Sequence, residues 1–215
     1  MNKIAIFDLD GTLLNTIQDL AHACNYALDY FNLPTHPISL YPQLVGNGIN
    51  KLIERALPQN QKTQENILKL RQVFIPYYNT HNMVFTKPYD HITQTLLQLK
   101  QKQYLLAVAS NKYQDATNAL INHFFPNTFQ AVLGERDNSP RKPNPQIIYD
   151  ILTQLHQPKH NNIFYIGDSD TDILTAHNAS LPVIACTWGF CNLQTLQQLK
   201  PEFIINSPQE ILNIL

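Results

Sequence analysis

Lys3-Ile4-Ala5-Ile6-Phe7 begins the patterned part of the chain with an apolar run that has no polar alternation. That is the pattern of a strand buried on both faces of a parallel sheet. Similar runs recur at Tyr104–Ala109, Phe129–Leu133, Ile163–Ile166, Pro182–Cys186 and Phe203–Ile205. Between most of them the apolar positions change to helical spacing. Ile92, Leu96 and Leu99 make one face ahead of the second run, and Ile147, Ile148, Ile151, Leu152 and Leu155 make another ahead of Ile163. Strands alternating with helices predict an α/β fold with a parallel sheet and right-handed crossovers.

One stretch breaks this rhythm. From about Asn15 to about Val84 the pattern is helical, with no convincing strand. Ile17, Leu20, Ala21, Cys24, Ala27, Leu28 and Phe31 form a stripe that stops at Leu33-Pro34. Leu52, Ile53, Ala56 and Leu57 continue the pattern, as do Ile67, Leu70, Val73, Phe74 and Tyr77. Prolines at 34, 37, 42, 58, 76 and 88 are expected to punctuate these segments. The reading is a small all-helical domain, residues 15–84, inserted after the first strand of a core made of residues 1–14 and 85–215. It is expected over the carboxyl edge of the sheet, where open α/β sheets bind ligands.

Composition narrows the function. The chain has 215 residues, 14% of them charged, and a formal net charge of −1, which makes no basic footprint for nucleic acid. Its three cysteines, Cys24, Cys186 and Cys191, show no zinc-like spacing, and reduced thiols are expected. No apolar run approaches a membrane span, and MNKIAIFDLDGT has no hydrophobic signal core. A cytoplasmic protein is expected, a monomer or a homodimer, acting on a small molecule without nucleic acid or membrane as partner.

Four short segments carry candidate chemistry, each next to an apolar run. Asp8-Leu9-Asp10-Gly11-Thr12 puts two carboxylates at the first strand's end, with Gly11 allowing a sharp turn; an acidic turn accounts for it equally well. Ser110-Asn111-Lys112 offers a hydroxyl and backbone N–H groups at an expected helix start, either a phosphate cradle or an ordinary cap. In Arg141-Lys142-Pro143-Asn144-Pro145, Asn144 as N-cap and Pro145 at the first helical position explain the local shape. They do not explain Lys142. Gly167-Asp168-Ser169-Asp170-Thr171-Asp172 supplies carboxylates for a divalent cation, or merely acidic residues favoured at a helix N-terminus.

The four segments in this order resemble the motifs of haloacid dehalogenase superfamily phosphatases: DxDGT at Asp8–Thr12, Ser110, Lys142 and GDSxxD at Gly167–Asp172. FDLDGTLLNTIQDL, VGNG followed by LIERAL, KPNP, GDSDTDI and TWGF look most like the phosphoglycolate phosphatases within that superfamily. The resemblance implies a Rossmann-like core with a helical cap, and an Mg2+-dependent phosphatase acting through an aspartyl-phosphate. Asp8 would be nucleophile and metal ligand, and Asp10 the acid–base, giving the metal its backbone carbonyl. Asp168 would complete the metal site, with Asp172 as a ligand or its partner. Ser110, Asn111 and Lys142 would meet the phosphoryl group, with Thr12 orienting the loop beside it. For Asp10 to act as an acid, its pKa should stand above that of Asp8. In the cap, Asn47 in a Gly46-Asn47-Gly48 loop, with Lys51 and Arg55 behind it, would select the substrate, the cations meeting a carboxylate such as that of glycolate. A sugar-phosphate mutase with the same intermediate is the alternative enzyme, and an inactive binding module the non-enzymatic one.

Overall fold

The computed structural model describes residues 2–215. In chain order it contains β1 (Ile4–Phe7), a short β2 (Leu14–Asn15), then helices α1 (Ile17–Tyr30), α2 (Tyr41–Leu44), α3 (Ile49–Ala56) and α4 (Gln64–His81). A short β3 (Lys87–Pro88) leads to α5 (Ile92–Gln101), β4 (Leu105–Tyr113), α6 (Gln114–Phe124), β5 (Ala131–Glu135) and α7 (Gln146–Gln154). The chain ends with β6 (Ile163–Gly167), α8 (Asp170–Asn178), β7 (Val183–Cys186), α9 (Leu193–Gln198), β8 (Phe203–Ile205) and α10 (Ile211–Ile214). Two compact units result: Met1–Leu14 with Pro88–Leu215, and Asn15–Lys87.

The first unit is a six-stranded sheet in the order β5-β4-β1-β6-β7-β8, with every adjacent pair parallel. After β1 the sheet grows outward through β4 and β5 on one side, then resumes at β6 on the other. β1 is therefore the switch point, and its carboxyl end is where a ligand crevice forms. All four β1 residues are fully buried, which is why the run shows no polar alternation. Ile4 and Ile6 share one face with Ala107, Ala109 and Tyr165, covered by Ile147, Ile148, Ile151 and Leu152 of α7 and Ile173 of α8. Burial of each large aliphatic side chain contributes about 1.5–3 kcal/mol relative to exposure. All three cysteines are free.

Three local readings change. Strand β4 does not stop at Ala109; it runs through Ser110, Asn111 and Lys112 with a register shift against β5, and α6 begins only at Gln114. Gly134 makes this possible, because a Cβ there would lie 2.5 Å from the Lys112 carbonyl oxygen. Helix α7 begins at Gln146, not Pro145, although Asn144 Oδ1 still accepts the Gln146 N–H at 3.0 Å. Pro76 lies inside α4 rather than ending it. Its ring is exposed while Ile67, Leu70, Phe74 and Tyr78 are buried, so packing of that face outweighs the lost backbone bond.

The second unit packs α1 against α4 and α3 against α4. Leu20, Ala21, Cys24, Ala27 and Leu28 are the buried stripe of α1. On α4 the stripe continues from Phe74 to Tyr78, one turn on, instead of to Tyr77. Asp19, 2% exposed, accepts from Phe85 N (3.1 Å to each carboxylate oxygen), Thr86 N (2.9 Å) and Thr86 Oγ1 (2.7 Å). That clasp binds residues 85–86 to α1.

Candidate active site

The carboxyl ends of β1, β4 and β6 lie side by side, because Phe7 pairs with both Val108 and Ile166. Asp8 follows directly and extends the ladder, its N–H donating to Ile166 O at 2.9 Å. Lys142 enters from the loop before α7. Its Nζ lies 2.8 Å from Asp8 Oδ1, 2.7 Å from Asp172 Oδ1, 2.8 Å from Ala109 O and 2.9 Å from the Tyr165 hydroxyl. Asn111 fixes the Lys142 backbone: its Oδ1 accepts Lys142 N–H at 2.9 Å and its Nδ2 donates to Lys142 O at 3.1 Å. Asn111, expected at the phosphoryl group, thus commits its amide to placing Lys142.

Asp168 is held from both sides. Thr12 Oγ1 donates to Oδ1 and Phe190 N to Oδ2, each at 2.8 Å. Trp188 Nε1 donates to Thr12 O at 3.1 Å, which ties the loop after β7 to the loop after β1. Thr12 therefore touches the candidate metal ligand directly. Two glycines permit the enclosure: a Cβ on Gly11, where φ is +92°, or on Gly189 would come within 2.3 Å of Asp168 atoms. Asp172 caps α8 in a box with Ser169, its Oδ2 accepting from Ser169 N at 3.1 Å and Oγ at 2.6 Å. Its Oδ1 takes Lys142 Nζ and the Tyr165 hydroxyl at 3.1 Å.

Oxygen atoms of Asp8, Asp168 and Asp172 all lie within 4.8 Å of one another. Burial pushes the Asp8 carboxyl up to about 7, helped by the charge of Asp172 and opposed by Lys142. Asp168 is held well above the usual carboxylate range by burial, then by Asp172 and Asp8. Burial works against the Lys142 ammonium, but Asp172 and Asp8 outweigh it and hold the group well above the ordinary lysine range. Asp10 lies outside the buried cluster and pairs with Lys112, Nζ to Oδ1 at 3.0 Å and to Oδ2 at 2.9 Å.

Three buried carboxylates, two of them bound by the one ammonium of Lys142, leave a formal excess of two negative charges. The donors are all hard oxygens, so the cluster fits a divalent cation of the magnesium type. Asp8 and Asp168 are the better candidates of the three, since each Asp172 oxygen already accepts from two donors, whereas each Asp168 oxygen and Asp8 Oδ1 accept from one. Ser110 is buried at the same edge, its Oγ accepting Lys112 N–H at 3.2 Å.

The residues expected in the helical unit make contacts within it. Lys51 is exposed and pairs with Glu54 at 2.7 Å. Arg55 Nη1 donates to the carbonyls of Leu44 (3.0 Å), Val45 (3.0 Å) and Gly46 (3.2 Å), and Nη2 to Asn47 Oδ1 (2.9 Å). Gly46, Asn47 and Gly48 all have positive φ, which turns these acceptors toward one guanidinium. Arg55 thus clamps the loop rather than presenting an uncommitted cation.

Sequence reasoning assigned no role to Lys112, Tyr165, Ser169 or the Phe190 N–H. Only Lys112 carried a signal, since a lysine at the end of an apolar strand requires a counter-ion when buried.

Residues 5–186 match the family model described as haloacid dehalogenase-like hydrolase. A curated phosphoglycolate phosphatase of Pasteurella multocida is 35% identical over 99% of this chain and 98% of its own. One from Haemophilus influenzae strain 86-028NP is 32% identical over the same shares. The solved structure of a predicted phosphoglycolate phosphatase from Haemophilus somnus superposes with a TM-score of 0.89 at 30% identity, covering 99% of this chain and 97% of that one. With its buried carboxylate cluster at the switch point of a parallel sheet, this chain belongs to the haloacid dehalogenase-like hydrolases.

Proposed function

We propose that this phosphoric monoester hydrolase is Mg2+-dependent and acts on a small phosphate ester of the phosphoglycolate type through an aspartyl-phosphate on Asp8. The observation that carries the reading is the formal excess of negative charge in the cluster of Asp8, Asp168 and Asp172, of which Asp8 and Asp172 contact Lys142 directly. The expected ligands are Asp8, Asp168 and the backbone carbonyl of Asp10, with Asp172 anchored to Lys142 beside them. When bound, the cation offsets the charge of the phosphoryl group and keeps both ligand carboxyls ionised at neutral pH.

An Asp8 oxygen forms the new bond to phosphorus while the bond to the leaving oxygen breaks. Asp10 gives that oxygen its proton, so an alcohol departs. Asp10 then takes a proton from the water that attacks the acyl phosphate, and inorganic phosphate and the Asp8 carboxylate are released. Lys142 stabilises the phosphoryl oxygens. The Ser110 hydroxyl accepts in its bond to Lys112 N–H, so its proton remains for an incoming acceptor. We assign the helical unit the role of cap, with Asn47, Lys51 and Arg55 the positions to test for substrate selection; Arg55 contributes by shaping the loop that carries Asn47. Phosphoglycolate as substrate rests on the full-length relatives of that name.

The test is phosphate release from phosphoglycolate and from a panel of sugar and alkyl phosphates, with Mg2+ and in excess chelator. Release confined to Mg2+, with a phosphorylated protein trapped by acid quench, is expected. Phosphate transfer that requires a bisphosphate cofactor would favour a mutase instead.

A further inference from the structure

Lys112 is a buried ammonium that no step above uses. Its side chain is 3% exposed and makes paired contacts with the Asp10 carboxylate. The register shift between Ala109 and Tyr113 alters the strand where Lys112 sits, and bulges of this kind re-aim side chains beside active sites. Its backbone is held on both sides: Ser110 Oγ accepts the Lys112 N–H, and Thr117 Oγ1 donates to Lys112 O at 3.1 Å. Gly134 leaves no room for a side chain against that same carbonyl.

Asp10 needs such a partner. Its side chain is 17% exposed, against 10% for Asp8 and 0% for Asp172, and it precedes a glycine at φ +92° in a tight turn. A carboxyl in that setting has rotational freedom which the buried cluster does not have. Two contacts from one ammonium fix both its direction and its plane.

We propose that Lys112 is a positioning residue for Asp10, setting the orientation in which that carboxyl meets the leaving oxygen and the attacking water. The proposal rests on Asp10 being the acid–base group. Two other roles for Lys112 make different predictions: a cation on the phosphoryl group, or an ion pair that serves only folding.

The experiment is a double-mutant cycle on single-turnover phosphoryl transfer from an alkyl and an aryl phosphate, in the presence of Mg2+. Lys112→Met is expected to slow transfer from the alkyl phosphate about tenfold to a hundredfold and from the aryl phosphate by no more than about threefold. In an Asp10→Asn background the same change should cost less than about twofold, because the group it positions is gone. Lys112→Arg keeps a cation and should retain the full effect of Asp10→Asn, which keeps the proposal testable if Lys112→Met folds poorly. Equal losses with and without Asp10, or equal losses on both leaving groups, would overturn the positioning role. Asp10→Asn that slows both substrates alike would overturn the reading of Asp10 itself, and the proposal with it.

Discussion

Asp19 and Asp8 are both buried carboxylates, one in the helical unit and one at the sheet edge, and their surroundings could hardly differ more. Asp19 receives only neutral donors, the N–H groups of Phe85 and Thr86 and the Thr86 hydroxyl. Asp8 has one ammonium and two like charges, and its carboxyl is pushed up to about 7. A carboxylate saturated with dipoles joins two segments and has nothing left to bind. A carboxylate crowded by others is poised to take a cation or a proton, which is why strongly perturbed groups gather at functional sites. The same side chain is saturated with donors in one unit and crowded by like charges in the other.

Replacing the two in parallel should give opposite results. Asp8→Asn is expected to abolish turnover while the protein remains folded, read by phosphate release and circular dichroism. Activity within about tenfold of wild type, roughly 1.4 kcal/mol in barrier, would refute the nucleophile assignment. The next largest effect belongs to the cation: excess chelator should remove activity, Mg2+ should restore it, and Ca2+ should inhibit because its looser coordination misplaces Asp8. Full activity in chelator would remove the metal from the account.

Lys142→Met leaves Asp8 and Asp172 without their shared ammonium. Breaking a buried pair from one side costs about 3–5 kcal/mol, so a lower urea midpoint in chelator is expected, together with lost turnover. Mg2+ should recover part of the stability and little of the activity. Asp19→Asn puts an amide against three donors and should destabilise by about 1–3 kcal/mol, with kcat of the folded protein within a few-fold of wild type. A large loss of kcat at unchanged stability would show that Asp19 is not merely structural.

The smallest effect is a dependence on pH. With its folded-state pKa raised from 3.8 to about 7, Asp8 binds its proton more tightly in the folded protein than in the unfolded one. Its contribution is complete below pH 3.8 and fades as the pH climbs to about 7. In chelator, wild type should therefore lose stability relative to Asp8→Asn across that window. Parallel melting curves at every pH would mean that Asp8 holds its proton no more tightly in the folded protein than in the unfolded one.

Much of this architecture was legible in the residues. The uninterrupted runs at Ile4–Phe7 and Ile163–Ile166 appear within buried strands because a strand covered on both faces leaves no position for a polar side chain. Asp8 and Asp168 were legible as candidate site residues because each directly follows such a strand, where an uncovered carboxylate is otherwise hard to place. The pairings were not legible. Lys142 meets Asp172 across 30 positions and Lys112 meets Asp10 across 102, and no local periodicity encodes a contact between strand ends.

The sequence by itself determined which segments are strands and helices and which of them carry carboxylates, since burial and hydrogen bonding act on neighbours along the chain. The tertiary structure decided what each polar side chain does. Asn111 bonds the Lys142 backbone, and Arg55 bonds a loop of positive-φ residues. Strand β4, irregular in register between Ala109 and Tyr113, carries the Lys112 that pairs with Asp10. A buried polar group takes the nearest partner that restores its lost hydration, and which partner is nearest depends on how distant segments pack.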